Sequence, residues 1–273
     1  SNSPDEPLAG PVMRTVAVVN QKGGVGKTTT TVNIGHALAR KGHRVVMLDL
    51  DPQGHLAASL GHYKDEGLGI DRVLLHGASL NDQWLSIRGW CQLVPSGSDL
   101  ADFEQLPGGS ERAYRLRDAI EQAAPDADIM LIDCPPSSGM LIVNAVAAAN
   151  DVLIPVAGDF LSLTGLARLM LTVKRLKPLA QPDLRKWIFM SRFVARRRLS
   201  REVYEKIRQH FSFSLLGASI SEAAALAECA GSGKSIFEYR MRSKSAAEFE
   251  ALADDLLNER VVAHEQENTS DVA

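Results

Sequence analysis

Residues 20–31 read N-Q-K-G-G-V-G-K-T-T-T-T, after the strand-like run Thr15–Val19 and before a helical pattern. That order suits the binding of a polyphosphate. A glycine-rich turn at a helix N-terminus aims backbone N–H groups at an anion, and the helix dipole adds to them. Gly23, Gly24 and Gly26 allow left-handed backbone and close approach, with Val25 between them. Lys27 is spaced to reach the β and γ phosphates, and the Thr28 hydroxyl to ligate Mg²⁺. The strict pattern G-x-x-x-x-G-K-[ST] fails, because Gln21 stands at its first glycine. A second lysine, Lys22, stands five residues before Lys27 instead. One phosphate lysine suffices for binding, so the second needs a separate reason.

Two further runs end in carboxylates. V-V-M-L-D-L-D-P-Q-G carries Asp49 and Asp51, and I-M-L-I-D-C-P-P carries Asp133. A strand-end aspartate can hold Mg²⁺ through a water, although one alone often just caps the next helix. Together with the loop, Asp51 and Asp133 point to Mg-nucleotide chemistry; for Asp49 a structural role is as good a reading. A second run, G-S-G-K-S at 231–235, is read as a turn, because no apolar strand precedes it and Glu228 stands where the pattern wants glycine.

The elements that must position these groups alternate short apolar runs with helical patterns, as a parallel sheet with crossover helices requires. Strands are predicted at about 15–20, 44–49, 90–94, 128–133, 151–156 and 186–191, with a weaker one near 213–218. Helices are predicted near 27–41, 54–60, 110–123, 138–148, 162–177, 199–210 and 244–260, with Gly42 ending the first. The runs V-V-M-L, I-M-L-I and V-L-I-P-V are near-continuously apolar, as strands covered on both faces must be. The expected fold class is α/β, a doubly wound, mostly parallel sheet with helices on both faces. It spans residues 15–260, between a disordered N-terminal segment (1–14) and a polar tail (261–273).

Composition narrows the classes further. With 45% hydrophobic and 23% charged residues and net charge −3, the chain is ordinary for a soluble globular protein. It lacks a membrane-length apolar run and a signal-peptide pattern. Three widely spaced cysteines make neither a disulfide framework nor a zinc pattern, and Cys134 is read as a small buried residue. Residues 168–208 hold thirteen Lys/Arg against Asp183, Glu202 and Glu205, a local +10 that leaves −13 on the rest. Such segregation suggests a face for a polyanion, although basic helices are often plain solvated surface.

With these motifs in view, the chain resembles the ParA/MinD group of deviant-Walker P-loop ATPases, most closely the ParA-type partition and cargo-positioning members. The markers are Q-K-G-G-V-G-K-T-T-T, D-L-D-P-Q-G, V-P-S-G-S-D-L, L-I-D-C-P-P-S, V-L-I-P-V and L-S-R-E-V, spread from Thr15 to about Asn258. The resemblance implies ATP and Mg²⁺ as cofactors, slow hydrolysis, and a face-to-face homodimer formed with ATP. In it, Lys22 touches the partner's nucleotide phosphates, and Lys27 binds the β and γ phosphates within its own subunit. Thr28 ligates Mg²⁺, Thr29 contacts the α-phosphate, Asp51 orients the attacking water and senses the γ-phosphate, and Asp133 supports Mg²⁺. Adenine is expected in the loops after the strands at 186–191 and 213–218, where Ser191 and Arg192 fall. A stimulating partner protein linked to cargo, non-specific DNA and a cytoplasmic, nucleoid-associated location in a bacterium are also implied.

The chain departs from its relatives in one place. Where many write I-P-R-N-V-R-L-S-E-A-P-S-x-G-K, it has I-S-E-A-A-A-L-A-E-C-A-G-S-G-K, with Glu222 and Ala225 at the two arginine positions. Arg192, Arg196, Arg197, Arg198 and Arg201 are the candidates to compensate, since non-specific DNA binding is mostly phosphate neutralisation. The helix at 244–260 is acidic, with Phe249, Leu252 and Leu256 read as core, so a MinD-type membrane helix is not expected. With about a dozen residues before the first strand, an operator-binding helix-turn-helix ahead of it is not expected. Two alternatives remain: a nucleotide-gated protein scaffold of polar or flagellar type without DNA binding, and a metabolic synthetase or metallocluster reductase.

Overall fold

The computed structural model describes residues 12–20, 25–136 and 139–263. Eight strands form one sheet: β1 (Arg14–Val18), β2 (Val45–Asp49), β3 (Leu85–Ile87), β4 (Cys91–Val94), β5 (Ile129–Asp133), β6 (Asp151–Ala157), β7 (Arg185–Phe193) and β8 (Leu215–Ser221). The spatial order is β3-β4-β2-β5-β1-β6-β7-β8, and every pairing is parallel except that of β3 with β4. The helices are α1 (Val25–Arg40), α2 (His55–Ser59), α3 (Ile70–His76), α4 (Arg115–Ala123), α5 (Met140–Ala148), α6 (Phe160–Arg175), α7 (Arg198–Phe211), α8 (Ala224–Gly231), α9 (Ile236–Arg240) and α10 (Lys244–Asn258).

The continuous apolar strands are explained by burial on both faces. All five residues of β2 and of β5 are buried. Because successive side chains point to opposite faces, each strand feeds two cores. Val46, Leu48, Met130 and Ile132 join one core, which α3–α7 cover. Val45, Met47, Ile129 and Leu131 join the other, which α1, α2 and α8–α10 cover. Phe249, Leu252 and Leu256 of α10 lie in that second core, as their spacing predicts. α1 ends at Arg40, two residues before Gly42, whose φ of 93° stops it.

Among the strands and α-helices of the described residues, four were not read from the sequence: the antiparallel edge strand β3 and helices α3, α8 and α9. The boundaries of the folded part also shift. Arg14, placed in the leading segment, opens β1 and binds Asp151; Val261–Ala263, placed in the tail, are buried, with Val261 bridged to Leu216. The G-S-G-K-S run is a turn between α8 and α9, pinned where the Arg88 guanidinium donates to the Gly233 carbonyl at 3.1 Å.

Candidate nucleotide site at the carboxyl end of the sheet

In a doubly wound sheet the ligand crevice opens where neighbouring strands connect in opposite directions. Here β1 lies between β5 and β6, and the chain leaving it enters α1. The three carboxylates lie on one side of that point, at the ends of β5 and β2. Asp49 and Asp133 end β2 and β5 and are register partners, and Asp51 follows two residues on.

The first turns of α1 face this edge. The Thr28 hydroxyl donates to Asp133 Oδ2 at 3.0 Å, and the Thr31 hydroxyl to Asp133 Oδ1 at 3.3 Å. Asp133 is 1% exposed and Thr28 7%, so the pair lies at a nearly dry junction between helix and sheet. Gly26 has helical rather than the expected left-handed backbone, and a Cβ built there would meet nothing within 4 Å. Room within the protein therefore does not demand a glycine; the residue opens onto the cavity described below. Lys22, Gly23 and Gly24, and the side chains of Val25 and Lys27, lie outside the described residues.

Asp49 resolves as the organiser of its loop. Fully buried, it accepts from Asp51 N at 3.0 Å and from Leu56 N at 3.2 Å, which ties the D-L-D-P-Q-G turn to the start of α2. Burial first, then the neighbouring Asp133 carboxylate, pushes its pKa well above the usual carboxylate range. Asp51 is partly exposed, and its Oδ1 accepts from Gln53 N at 3.0 Å. Gly54 completes the turn with φ 67° and ψ 31°, and its position would set a Cβ 2.9 Å from Ser96 Oγ. Only a residue without a Cβ fits that turn unstrained.

Beside α1 opens a cavity of about 380 Å³, walled by Gly26, Thr29 and Thr30 on one side and by the ends of β7 and β8 on the other. Ser191 and Arg192, expected near the base, line it; so do Ile220, Ala223 and Phe249, which no polar pattern singled out. The Thr29 hydroxyl is buried and has no hydrogen-bond partner among the described residues. A polar ligand atom in the cavity would satisfy it. With the Thr28–Asp133 pair beside it, this orphaned hydroxyl means that the residues present fit a Mg-nucleotide. Among the described residues no cluster of three His, Cys, Asp or Glu is placed to hold a metal ion.

The basic candidates gather less tightly than the sequence suggests. Arg185 is drawn to Asp151 and Glu259 at the other end of the sheet. Near the cavity, Glu222 lies 3.4 Å from Arg192 and 3.7 Å from Arg197, Arg198 pairs with Glu202 at 2.6 Å, and Arg201 donates to the Ala195 carbonyl at 2.8 Å. Arg196 is exposed. All three cysteines are buried and unbonded to one another; burial pushes the Cys91 thiol up to about 12 and Cys229 to about 11, out of the reactive range.

A phosphate-loop helix following β1, with aspartates ending the next two strands on one side of it, defines a P-loop nucleotide-binding protein. The family model described as an AAA domain matches residues 13–186. The chromosome partitioning protein ParA of Myxococcus xanthus is 36% identical over 255 residues, which cover 90% of this chain and 88% of that protein. Among solved structures, cobyrinic acid a,c-diamide synthase from Mycobacterium smegmatis with bound ADP and magnesium is 32% identical with TM-score 0.78, covering 90% of this chain and 94% of that one. Apo McdA from Cyanothece, at 22% identity and TM-score 0.81 over 90% and 100% of the two chains, shares the fold. The chain belongs to the ParA/MinD superfamily of P-loop ATPases, whose cofactors are ATP and Mg²⁺. Among the described residues no helix is long and apolar enough to cross a membrane.

Proposed function

We propose that the protein is an ATP-dependent dimerising ATPase that positions or segregates a cellular cargo, its ATP-bound dimer riding on non-specific DNA and released when a partner protein stimulates hydrolysis. The observation that carries the nucleotide half of this reading is the buried Thr28–Asp133 pair beside the orphaned Thr29 hydroxyl. The relatives named for chromosome partitioning support the cargo half. The reading extends to a cytoplasmic, nucleoid-associated location in a bacterium.

Each residue then has a defined task. Gly23–Gly26 present backbone N–H groups to the phosphates, Lys27 neutralises the β and γ oxygens, and Thr29 donates to the α-phosphate. Thr28, Asp51 and Asp133 would hold the metal, with the Thr28 hydroxyl steadied by Asp133. Bound Mg²⁺ supplies Lewis-acid neutralisation of the terminal phosphoryl oxygens. Asp49 fixes the turn through the Asp51 amide, and Asp51 orients the attacking water. Lys22 reaches the partner subunit's phosphates, where a cation stabilises developing charge as arginine fingers do elsewhere.

A DNA-retention assay with ATP, run alongside size-exclusion chromatography, tests the proposal. ATP with Asp51→Ala is expected to trap a dimer that holds duplex DNA, and a variant that stays monomeric would refute the cycle. Lys27→Ala should abolish ATP binding, whereas Lys22→Ala should keep much of it and lose ATP-driven dimerisation; equal loss in both would end that division of labour. A second reading, a nucleotide-gated scaffold that binds protein instead of DNA, is favoured by the ion pairs between Glu222 and two of the basic-loop arginines. Salt-sensitive binding of random duplex, abolished by changing Arg196–Arg198 to Glu, would exclude it. The synthase reading has the Mycobacterium likeness, but the site adds nothing to it, and the buried thiols speak against a metallocluster reductase.

A further inference from the structure

Two ionised side chains line the cavity beside α1, Arg192 and Glu222, and they face each other. Backbone geometry holds them there. Glu222 N donates to the Phe193 carbonyl at 3.0 Å, joining the end of β8 to the end of β7. Arg192 takes a left-handed φ of 51°, uncommon for a residue with a side chain, as the strand turns toward the basic loop. The same carboxylate reaches 3.7 Å to Arg197 at the start of α7. Glu222 thus sits between the cavity and the five arginines that run from the end of β7 into the first turn of α7.

These five arginines fall into two groups. Arg192 and Arg197 face Glu222, and Arg198 is held by Glu202 one helical turn on. Among the described residues Arg196 has no ion-pair partner, and Arg201 bonds only a backbone carbonyl. A carboxylate and a phosphate compete for the same guanidinium fork. These pairs are displaceable because they are wet: the side chains of Arg192, Arg197 and Glu222 are 68%, 63% and 41% exposed. An exposed ion pair is weak enough for a polyanion to break, yet each one broken subtracts from the gain.

We propose that Glu222 is a built-in competitor for the phosphate backbone of double-stranded DNA, holding back Arg192 and Arg197 so that the resting surface offers Arg196 and Arg201 first. This inference rests on the DNA-riding reading above. Because Glu222 also lines the cavity, a ligand that fills the cavity meets the same carboxylate, and occupancy of one site bears on the arginines available at the other.

The test compares wild type with Glu222→Gln, which keeps the shape and removes the charge, on random-sequence duplex DNA in the presence of ATP. The variant is expected to bind roughly two- to ten-fold more tightly at fixed salt, and its plot of log affinity against log salt should steepen by about 1–2 for the phosphates newly neutralised. The gain should vanish in an Arg192→Ala/Arg197→Ala background. Glu222→Asp, whose shorter arm gives up both contacts while keeping the charge, should fall between wild type and Glu222→Gln. Affinity for a fluorescent ATP analogue, measured on the same samples, separates a changed cavity from a changed surface. Unchanged DNA affinity and slope in Glu222→Gln, with Arg196→Ala still weakening binding, would overturn the competitor and leave the DNA surface standing. A gain that persists without Arg192 and Arg197 would also overturn it. If neither wild type nor Glu222→Gln holds duplex at low salt with ATP, the underlying reading fails instead.

Discussion

The two ends of the sheet each bury carboxylates, and they treat them in opposite ways. At the amino end, Asp151 is fully buried and receives Arg14 at 2.7 and 2.9 Å, Arg185 at 3.1 Å and the Trp187 indole N–H at 2.7 Å. Arg185 continues to Glu259, and Arg14 to the Leu256 carbonyl at 3.1 Å, so β1, β6, β7 and the end of α10 are stitched together. At the carboxyl end, Asp49 is equally buried, but among the described residues its donors are the Asp51 and Leu56 amides, and its pKa is pushed up. Asp133 takes the hydroxyls of Thr28 and Thr31. One end satisfies its buried charge with its own cations and is complete. The other gathers Asp49, Asp51 and Asp133 beside an orphaned Thr29 hydroxyl and an open cavity, an arrangement that fits a polyphosphate carrying Mg²⁺.

The strongest way to break that comparison is at the complete end. Asp151→Ala leaves two guanidiniums facing a buried void, and losing one partner of a buried ion pair costs about 3–5 kcal/mol. Urea unfolding should show that loss, while nucleotide affinity of the still-folded protein stays at the wild-type level. A loss below about 1 kcal/mol would place the cluster among solvent-screened pairs and remove its contrast with the site.

At the open end the sign of the trade reverses. Thr28→Ala removes one hydrogen bond to Asp133, worth about 1 kcal/mol of stability, but should lower ATP hydrolysis by about 100-fold, or about 3 kcal/mol of barrier. Hydrolysis measured across a Mg²⁺ titration checks it. If stability drops strongly while turnover holds, Thr28 belongs to the scaffold, and the two ends are alike after all.

What the sequence disclosed follows the same division. Asp51 and Asp133 stood out because carboxylates followed unbroken apolar runs, and the structure sets Asp133 at the end of β5 and Asp51 two residues past the end of β2; Asp49, in the same kind of position, is the organiser of its turn. The parallel strands were legible because both faces are covered, which leaves unbroken apolar runs. β3 was missed because three residues, Leu85–Ile87, are too short to show a period. The seven-residue α3 fell below the same limit, while α9 carried a readable signal, the Ser235–Glu238 capping box, that went unused. Asp151 and its partners could not be matched, since Arg14 lies 137 residues away in sequence and spacing says nothing about strand order. The cavity's apolar wall was silent for a related reason: Ile220, Ala223 and Phe249 have the composition of any core. Glu222 was legible as a departure, but its partners Arg192 and Arg197 became visible only in three dimensions.

Two glycines give a matched pair for sharpening the contrast. Gly54 at the open end and Gly42 at the opposite end of α1 both adopt left-handed backbone, with φ of 67° and 93°. A Cβ at Gly42 meets nothing within 4 Å, whereas one at Gly54 meets Ser96 Oγ at 2.9 Å. Each alanine variant should lose about 1–2 kcal/mol of stability from backbone strain. Gly54→Ala alone should also slow hydrolysis, because it displaces the turn that carries Asp51. Equal turnover in the two variants would show that this turn tolerates displacement.

The smallest expected effect lies between the two ends, on α1 itself. His36 stacks on Trp90 with ring centroids 4.1 Å apart, and its Nδ1 shares a 2.5 Å hydrogen bond with Ser235 Oγ at the cap of α9. Burial lowers its pKa from 6.5 to about 4, against the opposing pull of Glu238 and with help from Arg40 and Arg88. The unfolded chain therefore takes up a proton near pH 6.5 that the folded one refuses until about pH 4. Stability is fully present above that window, falls as pH drops through it, and levels off below it. Allowing for the ring's partial exposure, the loss should be about 1–2 kcal/mol. His36→Gln keeps a polar partner for Ser235 and cannot titrate, so the difference between wild-type and variant urea midpoints should shrink as pH falls from 7 toward 4. Parallel curves would mean that the ring is protonated in the folded state or solvated in both. Nucleotide affinity should follow neither curve, because the cap that His36 holds closes the scaffold behind α1 and leaves the phosphate-facing turn untouched.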